Sequence, residues 1–212
     1  MNILSPAKAL IFRIIHRDNL DWILEHGIHC RHTDHVDPNF VEIGNPDLIA
    51  KRSPRAIPVP PGGTLSDYVP FYFTPRSPMA RNINSGWRGV QQRANEEILV
   101  LVSSLPHIRS LELDFLFTNQ HAYTETAQFY SDLARLDEID WGILRASDFK
   151  RDNDDLGKLE RYQAEALVYR HVPITGLLGI GCCSPHEATT QRARVEAAGV
   201  DLKVVARPGW YF

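Results

Sequence analysis

The sequence predicts an α+β fold, and three observations carry that expectation. Its apolar segments are short and mostly non-alternating, as buried strands are. Segments with helical spacing are few and do not alternate regularly with those strands, which argues against a doubly wound sheet. Hydrophobic side chains make up 43% and charged ones 23% of 212 residues, near the globular average, so disordered and coiled-coil classes are excluded. No repeat, low-complexity tract or long linker divides the chain, and one domain over residues 1–212 is expected.

Residues 9–15 are the first apolar run and predict a strand. Asp18 and Asn19 follow as caps for a helix carried by Leu20, Ile23 and Leu24 and closed by Gly27. Residues 29–64 are rich in Pro, Gly, Asn and Asp and predict a long loop, which in a compact domain is more often functional than passive. The aromatic segment 68–73 predicts a strand near a sheet edge, because Pro70 cannot donate to a ladder. The continuous Ile, Leu and Val run at 98–102 predicts a buried strand. Phe129, Leu133 and Leu136 fall at helical spacing within 122–136, and a polar, acidic loop is expected over 137–160. Strands at 164–169 and 177–182, a helix at 187–197 and a strand at 202–206 complete the expectation.

The formal net charge of −3 excludes a uniformly cationic DNA-coating protein but not a local basic groove. Arg outnumbers Lys eighteen to five, a bias suited to phosphates. Residues 43–109 hold eight basic against four acidic side chains, whereas 111–170 hold seven against thirteen, so the middle of the chain is the expected polyanion-facing part. There Trp87 stands among Arg76, Arg81, Arg88 and Arg93, the mixture of ring faces and cations that single-strand surfaces use. Three cysteines, Cys30, Cys182 and Cys183, without a CxxC pattern, fit a reducing cytoplasm. No apolar run approaches the length of a membrane span.

His16-Arg17-Asp18-Asn19-Leu20 matches a kinase catalytic loop only superficially, since it stands too near the start to follow a Gly-rich loop and a lysine strand. His26, His29, Cys30, His32 and His35 lack a second clamp and read as a solvated loop rather than a metal site. Pro61-Gly62-Gly63-Thr64 lacks the P-loop continuation and reads as a turn. Neither a GxSxG elbow nor an HExxH helix occurs, which removes the hydrolase and zincin classes. Glu165 enters an otherwise apolar strand, so it must be paired, at a cleft or at a strand end; an edge-facing ion pair and a reactive carboxylate both remain open. Around Arg52 the sequence alone reads as a solvated loop.

Taken together these segments resemble the DarT family of DNA ADP-ribosyltransferase toxins. The resemblance runs through residues 11–20, 43–55 and 61–79, then Glu97-Ile98-Leu99, Phe117-Thr118 with His121, Asp140-Trp141, Gln163-Ala164-Glu165 and Trp210-Tyr211. It implies an ADP-ribosyltransferase-like fold of split mixed β-sheets with flanking helices and NAD+ in the cleft. It implies transfer of ADP-ribose from NAD+ to a base of single-stranded DNA, with nicotinamide leaving and no metal, by a monomer paired with an antitoxin that removes the mark. Glu165 would be the catalytic carboxylate and Arg52 the arginine of the NAD-binding element, holding the pyrophosphate. Arg13, His16, Asn19, Gly27, Tyr68 and Tyr72 would line the NAD+ site. Residues from about 119 to 162 would form the substrate loop, and Arg76, Met79, Arg81, Trp87, Arg88 and Arg93 would face DNA.

The residue types suit that chemistry. Cleavage of the nicotinamide–ribose bond passes through an oxocarbenium-like state, and a carboxylate beside the ribose can stabilise it and accept the base's proton. Arg13 departs from the His that thymidine-modifying members carry in the first strand, and on that ground guanosine is expected as the target over thymidine. NAD glycohydrolysis or RNA modification on the same fold, and a silent single-strand-binding module, are the alternatives; filled Glu165 and Arg52 positions argue against the last.

Overall fold

Strand β1 (Leu10–His16) organises the described residues, 4–212 of a computed structural model; the side chain of Arg88 lies outside that description. After it come α1 (Leu20–His26), β2 (Ile28–His29), α2 (Pro46–Arg52), β3 (Tyr68–Tyr72), α3 (Pro78–Ser85), β4 (Ile98–Ser104) and α4 (Leu105–Ser110). The second half holds β5 (Phe115–Thr118), β6 (Phe129–Tyr130), α5 (Trp141–Ala146), α6 (Lys158–Tyr162), β7 (Glu165–Tyr169) and β8 (His171–Val172). The last elements are β9 (Gly179–Cys182), α7 (Pro185–Ala197) and β10 (Val204–Ala206).

Among the described residues the strands form an eight-stranded sheet of order β10-β9-β4-β1-β3-β7-β5-β6 and a small β2-β8 pair. Only β9 and β10 run parallel; the other neighbours are antiparallel. The sheet is split at its centre. β1 follows β4 over its whole length, Leu10↔Ser104 to His16↔Ile98, yet it meets β3 at the single pair Phe12↔Tyr72. The mixed, split α+β architecture is thus the expected one.

Pro70 illustrates why the sequence misleads locally. β3 is an internal strand, not an edge strand. The ladder is interrupted where Pro70 faces β1, so no partner needs its missing N–H. Its carbonyl instead accepts from Arg13 Nη1 at 2.9 Å. The non-alternating runs are buried on both faces: Phe12, Phe71, Phe73, Leu99 and Leu101 are all essentially inaccessible. Tyr211 ties the chain's end to this core by donating to the carbonyls of Gly181 (2.8 Å) and Ile98 (3.1 Å).

Three further expectations need correction. The 29–64 loop contains α2, started by the Asn45 side chain, which accepts from Leu48 N–H at 2.9 Å, with Pro46 in the first turn. No helix forms at 122–136. The Asn119 and Thr124 side chains bond local backbone there, and Tyr130 on β6 stacks on Phe117 of β5 at 5.4 Å; Leu133–Glu138 is only a 3-10 turn. The acidic 137–160 segment holds α5, whose N–H of Ile143 donates to Asp140. Asn19 stands at the N-cap of α1, as expected, but its side chain makes no capping bond there. His16 Nδ1 accepts from Asp18 N–H at 3.2 Å, while the Asn19 amide reaches across to Val41.

Gly27 closes α1 with φ +73°, and a Cβ there would stand 2.4 Å from the Val172 carbonyl of β8. Gly27→Ala is therefore expected to destabilise the fold by clearly more than ~1 kcal/mol in urea unfolding, since both conformation and space oppose it. An unchanged midpoint would contradict this close approach.

Candidate active site

The two halves of the sheet join at Tyr72, and there the first residue of β7, Glu165, stands opposite Tyr72. Glu165 is completely buried. A bare carboxylate in that position would be untenable, and its environment supplies donors. Arg52 Nη2, at the end of α2, donates to Oε2 at 2.5 Å. Ala122 N–H donates to Oε1 at 3.0 Å, with His121 Nε2 3.6 Å from the same oxygen. The Glu165 backbone N–H donates to Thr118 Oγ1 at 3.1 Å, which fixes where the strand begins.

The electrostatics follow from these contacts. Burial pushes the Glu165 carboxyl up, but Arg52, His121 and the Ala122 N–H outweigh it and hold it below the usual carboxylate range. Glu165 is thus ionised at neutral pH. Its folded value is depressed, so the stability it adds is present above the unfolded value of ~4.3 and is lost as pH falls through the folded one. Burial, reinforced by the Glu165 charge, pushes the Tyr72 phenol up to about 12, keeping it a neutral donor. His121 is pulled down by burial and is neutral at pH 7.

Two cavities of about 160 Å³ and 300 Å³ adjoin here; Arg52 and Tyr72 line the first, while Glu165 itself lies behind them and lines neither. The first is lined by Arg52, Tyr68, Pro70, Tyr72 and Met79, the second by Trp22, Ile23, Gly27, His35 and Val36. Arg13, Asn19, His29, Arg31, Phe40 and Glu42 line both. The covering loop is latched by Asn19, whose amide donates to Val41 C=O at 3.0 Å and accepts from Val41 N–H at 2.8 Å.

The expected residues do not all converge. Arg13, Asn19, Gly27, Tyr68 and Tyr72 border the cleft, although Tyr68 is only 1% exposed and its hydroxyl donates to Gly62 at 2.8 Å. His16 does not border it. It is buried at the far end of β1, with Nε2 3.4 Å from the Glu97 carboxylate. Of the residues expected to face DNA, Met79 lines the first cavity, and Trp87 is 65% exposed. Arg81 is exposed near the Phe149 ring. Arg76 and Arg93 are engaged within the protein, Arg76 on the carbonyls of Gly209 and Tyr211 and Arg93 on Glu97. Arg88 lies outside the described side chains.

Sequence reasoning missed Arg31, Glu42 and the donors around Glu165, because His121 and Ala122 meet it only through the β5–β7 pairing. The Pro61–Thr64 segment is a turn closed by Asp67, which accepts from Thr64 N–H at 2.8 Å. Asn19→Ala is expected to free the loop: amide exchange at Val41 should accelerate at least about tenfold, for the loss of roughly 1–3 kcal/mol of local bonding. Exchange unchanged from wild type would show that Asn19 is no latch.

Comparison with known proteins agrees with this geometry. Residues 12–212 match the family model described as DarT, ssDNA thymidine ADP-ribosyltransferase. A DNA ADP-ribosyl transferase of Escherichia coli O127:H6 is 50% identical over 209 residues, covering 99% of this chain and 96% of that protein. Thermus sp. 2.9 DarT in complex with ADP-ribosylated ssDNA superposes with TM-score 0.90 at 32% identity, over 100% of both chains. The same Thermus protein in complex with NAD+ gives 0.84 at 32% identity, over 98% of this chain and 100% of that one. The family's definition overturns the expectation of guanosine. The physical reason is that one arm of the Arg13 fork, on which that expectation rested, is committed to Pro70 C=O within the split of the sheet. The chain belongs to the DarT family of ssDNA thymidine ADP-ribosyltransferases.

Proposed function

We propose that residues 1–212 act as one domain, a monomeric cytoplasmic toxin enzyme that moves ADP-ribose from NAD+ to thymidine in single-stranded DNA and is countered by an antitoxin that removes the mark. The carrying observation is the buried Glu165–Arg52 pair, whose Arg52 lines the first of two adjoining cavities. Two cavities joined at a charged wall suit a dinucleotide, and the partly buried Arg13, whose Nε has no partner among the described residues, is part of that wall. No helix among the described residues is long and apolar enough to cross a membrane.

In this reading Tyr72 forms the floor on which the nicotinamide ring stacks, and Glu165 faces the ribose. Glu165 stabilises positive charge developing on the ribose as the C1′–nicotinamide bond breaks. Thymine's free ring nitrogen carries a proton, so forming the new bond to C1′ requires a base. Glu165 is held ionised for that task, and the proton leaves thymine for its carboxylate. Arg52 keeps Glu165 charged and aligned, while His121, 3.6 Å from Oε1, and Tyr72 stand neutral beside it. The 119–162 segment contacts DNA beside Glu165, with Arg81 and Trp87 flanking it.

Labelled NAD+ and oligonucleotides differing in a single base provide the test. Wild type should label the thymidine-containing strand, and Glu165→Gln should lower the rate by about 10²–10⁴-fold. No DNA label, or equal labelling by the variant, would overturn the proposal. Because Glu165 stays ionised below the usual range, the rate should show no acid limb between pH 5 and 7, with loss only near or below ~4.3. A limb within that window would contradict the assignment of Glu165 as the base.

A further inference from the structure

The two cavities share a wall whose charged members are Arg13, Arg31 and Glu42. A dinucleotide is divided in the same way, into two nucleosides joined by an anionic pyrophosphate. The cavity bearing Arg52 and Tyr72 is lined by the two neighbours of Glu165, so the reacting half belongs there. The other half then belongs against Trp22 and Val36, which leaves the pyrophosphate at the shared wall.

Three guanidiniums come near that wall, and their commitments differ. Arg52 is engaged by Glu165. Arg13 is partly buried and donates through Nη1 to Pro70. Arg31 is half exposed, and its one ion pair is with Glu42. Glu42 also accepts from Gly44 N–H at 3.2 Å and offsets the mutual repulsion of Arg13 and Arg31. Both backbones are anchored, Cys30 beside Arg31 by its N–H to Arg170 C=O (2.7 Å), and Val41 beside Glu42 by Asn19. Exchange of the Arg31 partner therefore needs only side-chain rotation, not loop opening.

Resting on the proposed use of NAD+, we infer that Arg31 binds the dinucleotide's pyrophosphate and that Glu42 is its exchangeable counterion, an internal anion that competes with the phosphates. A guanidinium fork suits a phosphate at least as well as a carboxylate. This assigns pyrophosphate recognition to Arg31, with Arg13 beside it, rather than to Arg52, the arginine expected to hold it.

The test is calorimetric titration of the full chain with NAD+, ADP-ribose and adenosine. Arg31→Gln should raise the dissociation constants of NAD+ and ADP-ribose by about tenfold or more, the effect of one charge-assisted hydrogen bond, and leave adenosine within about twofold. Glu42→Gln should move the first two in the opposite direction, tightening them about threefold by removing the competitor. Equal weakening of adenosine by Arg31→Gln, unchanged NAD+ affinity in that variant, or loosening by Glu42→Gln would each overturn this inference alone. A wild-type chain that binds no NAD+ would overturn the proposed co-substrate and this inference with it.

Discussion

The Glu165–Arg52 ion pair is the interaction on which the cleft depends. Its two ends come from elements 113 residues apart, the end of α2 and the start of β7. A carboxylate with no exposure is sustained only because Arg52, the Ala122 N–H and nearby His121 repay its lost hydration. Removing one partner leaves a buried charge unmatched, a loss on the order of 3–5 kcal/mol. The pair therefore fixes α2 over the sheet, the start of the 119–162 segment and the charge state of Glu165 together.

The split between β1 and β3 makes room for the cavity beside that pair. A continuous ladder would bring the strands together and leave no cleft. Here a single register pair joins the halves, and Pro70, unable to donate, stands where the ladder fails. Arg13 fills the vacated bonding position by donating to Pro70 C=O, so one side chain both closes the sheet and borders the cleft. Gly27 and Asn19 set the opposite border, the first by allowing a close approach to β8 and the second by fastening Val41.

Much of the fold was legible because its central strands are long apolar runs. The strands around 10–16, 68–72, 98–104 and 165–169 and the helix around 185–197 all lie within a few residues of their expected places. What failed was short or decided at a distance. α2 is seven residues long with little apolar periodicity, and its only advertisement was Asn45-Pro46, a cap followed by a first-turn proline. β6 has two residues and exists because Phe117 and Tyr130 meet. In the site, Glu165 stood out as a carboxylate in an apolar run, while Arg52 looked solvated, because its partner is set by tertiary packing. The guanosine expectation failed for the same reason: the sequence reveals an arginine at position 13 but not that its guanidinium turns into the sheet.

The central claim is that Arg52 keeps Glu165 ionised. Carbon-13 NMR of selectively labelled glutamate carboxyls, titrated in wild type and in Arg52→Gln, tests it most directly. Glu165 should retain a carboxylate shift to below the ordinary ~4.3, and the variant should move its midpoint up by at least a unit as burial goes unopposed. A wild-type Glu165 that protonates above the ordinary value, or a midpoint indifferent to Arg52, would contradict the account.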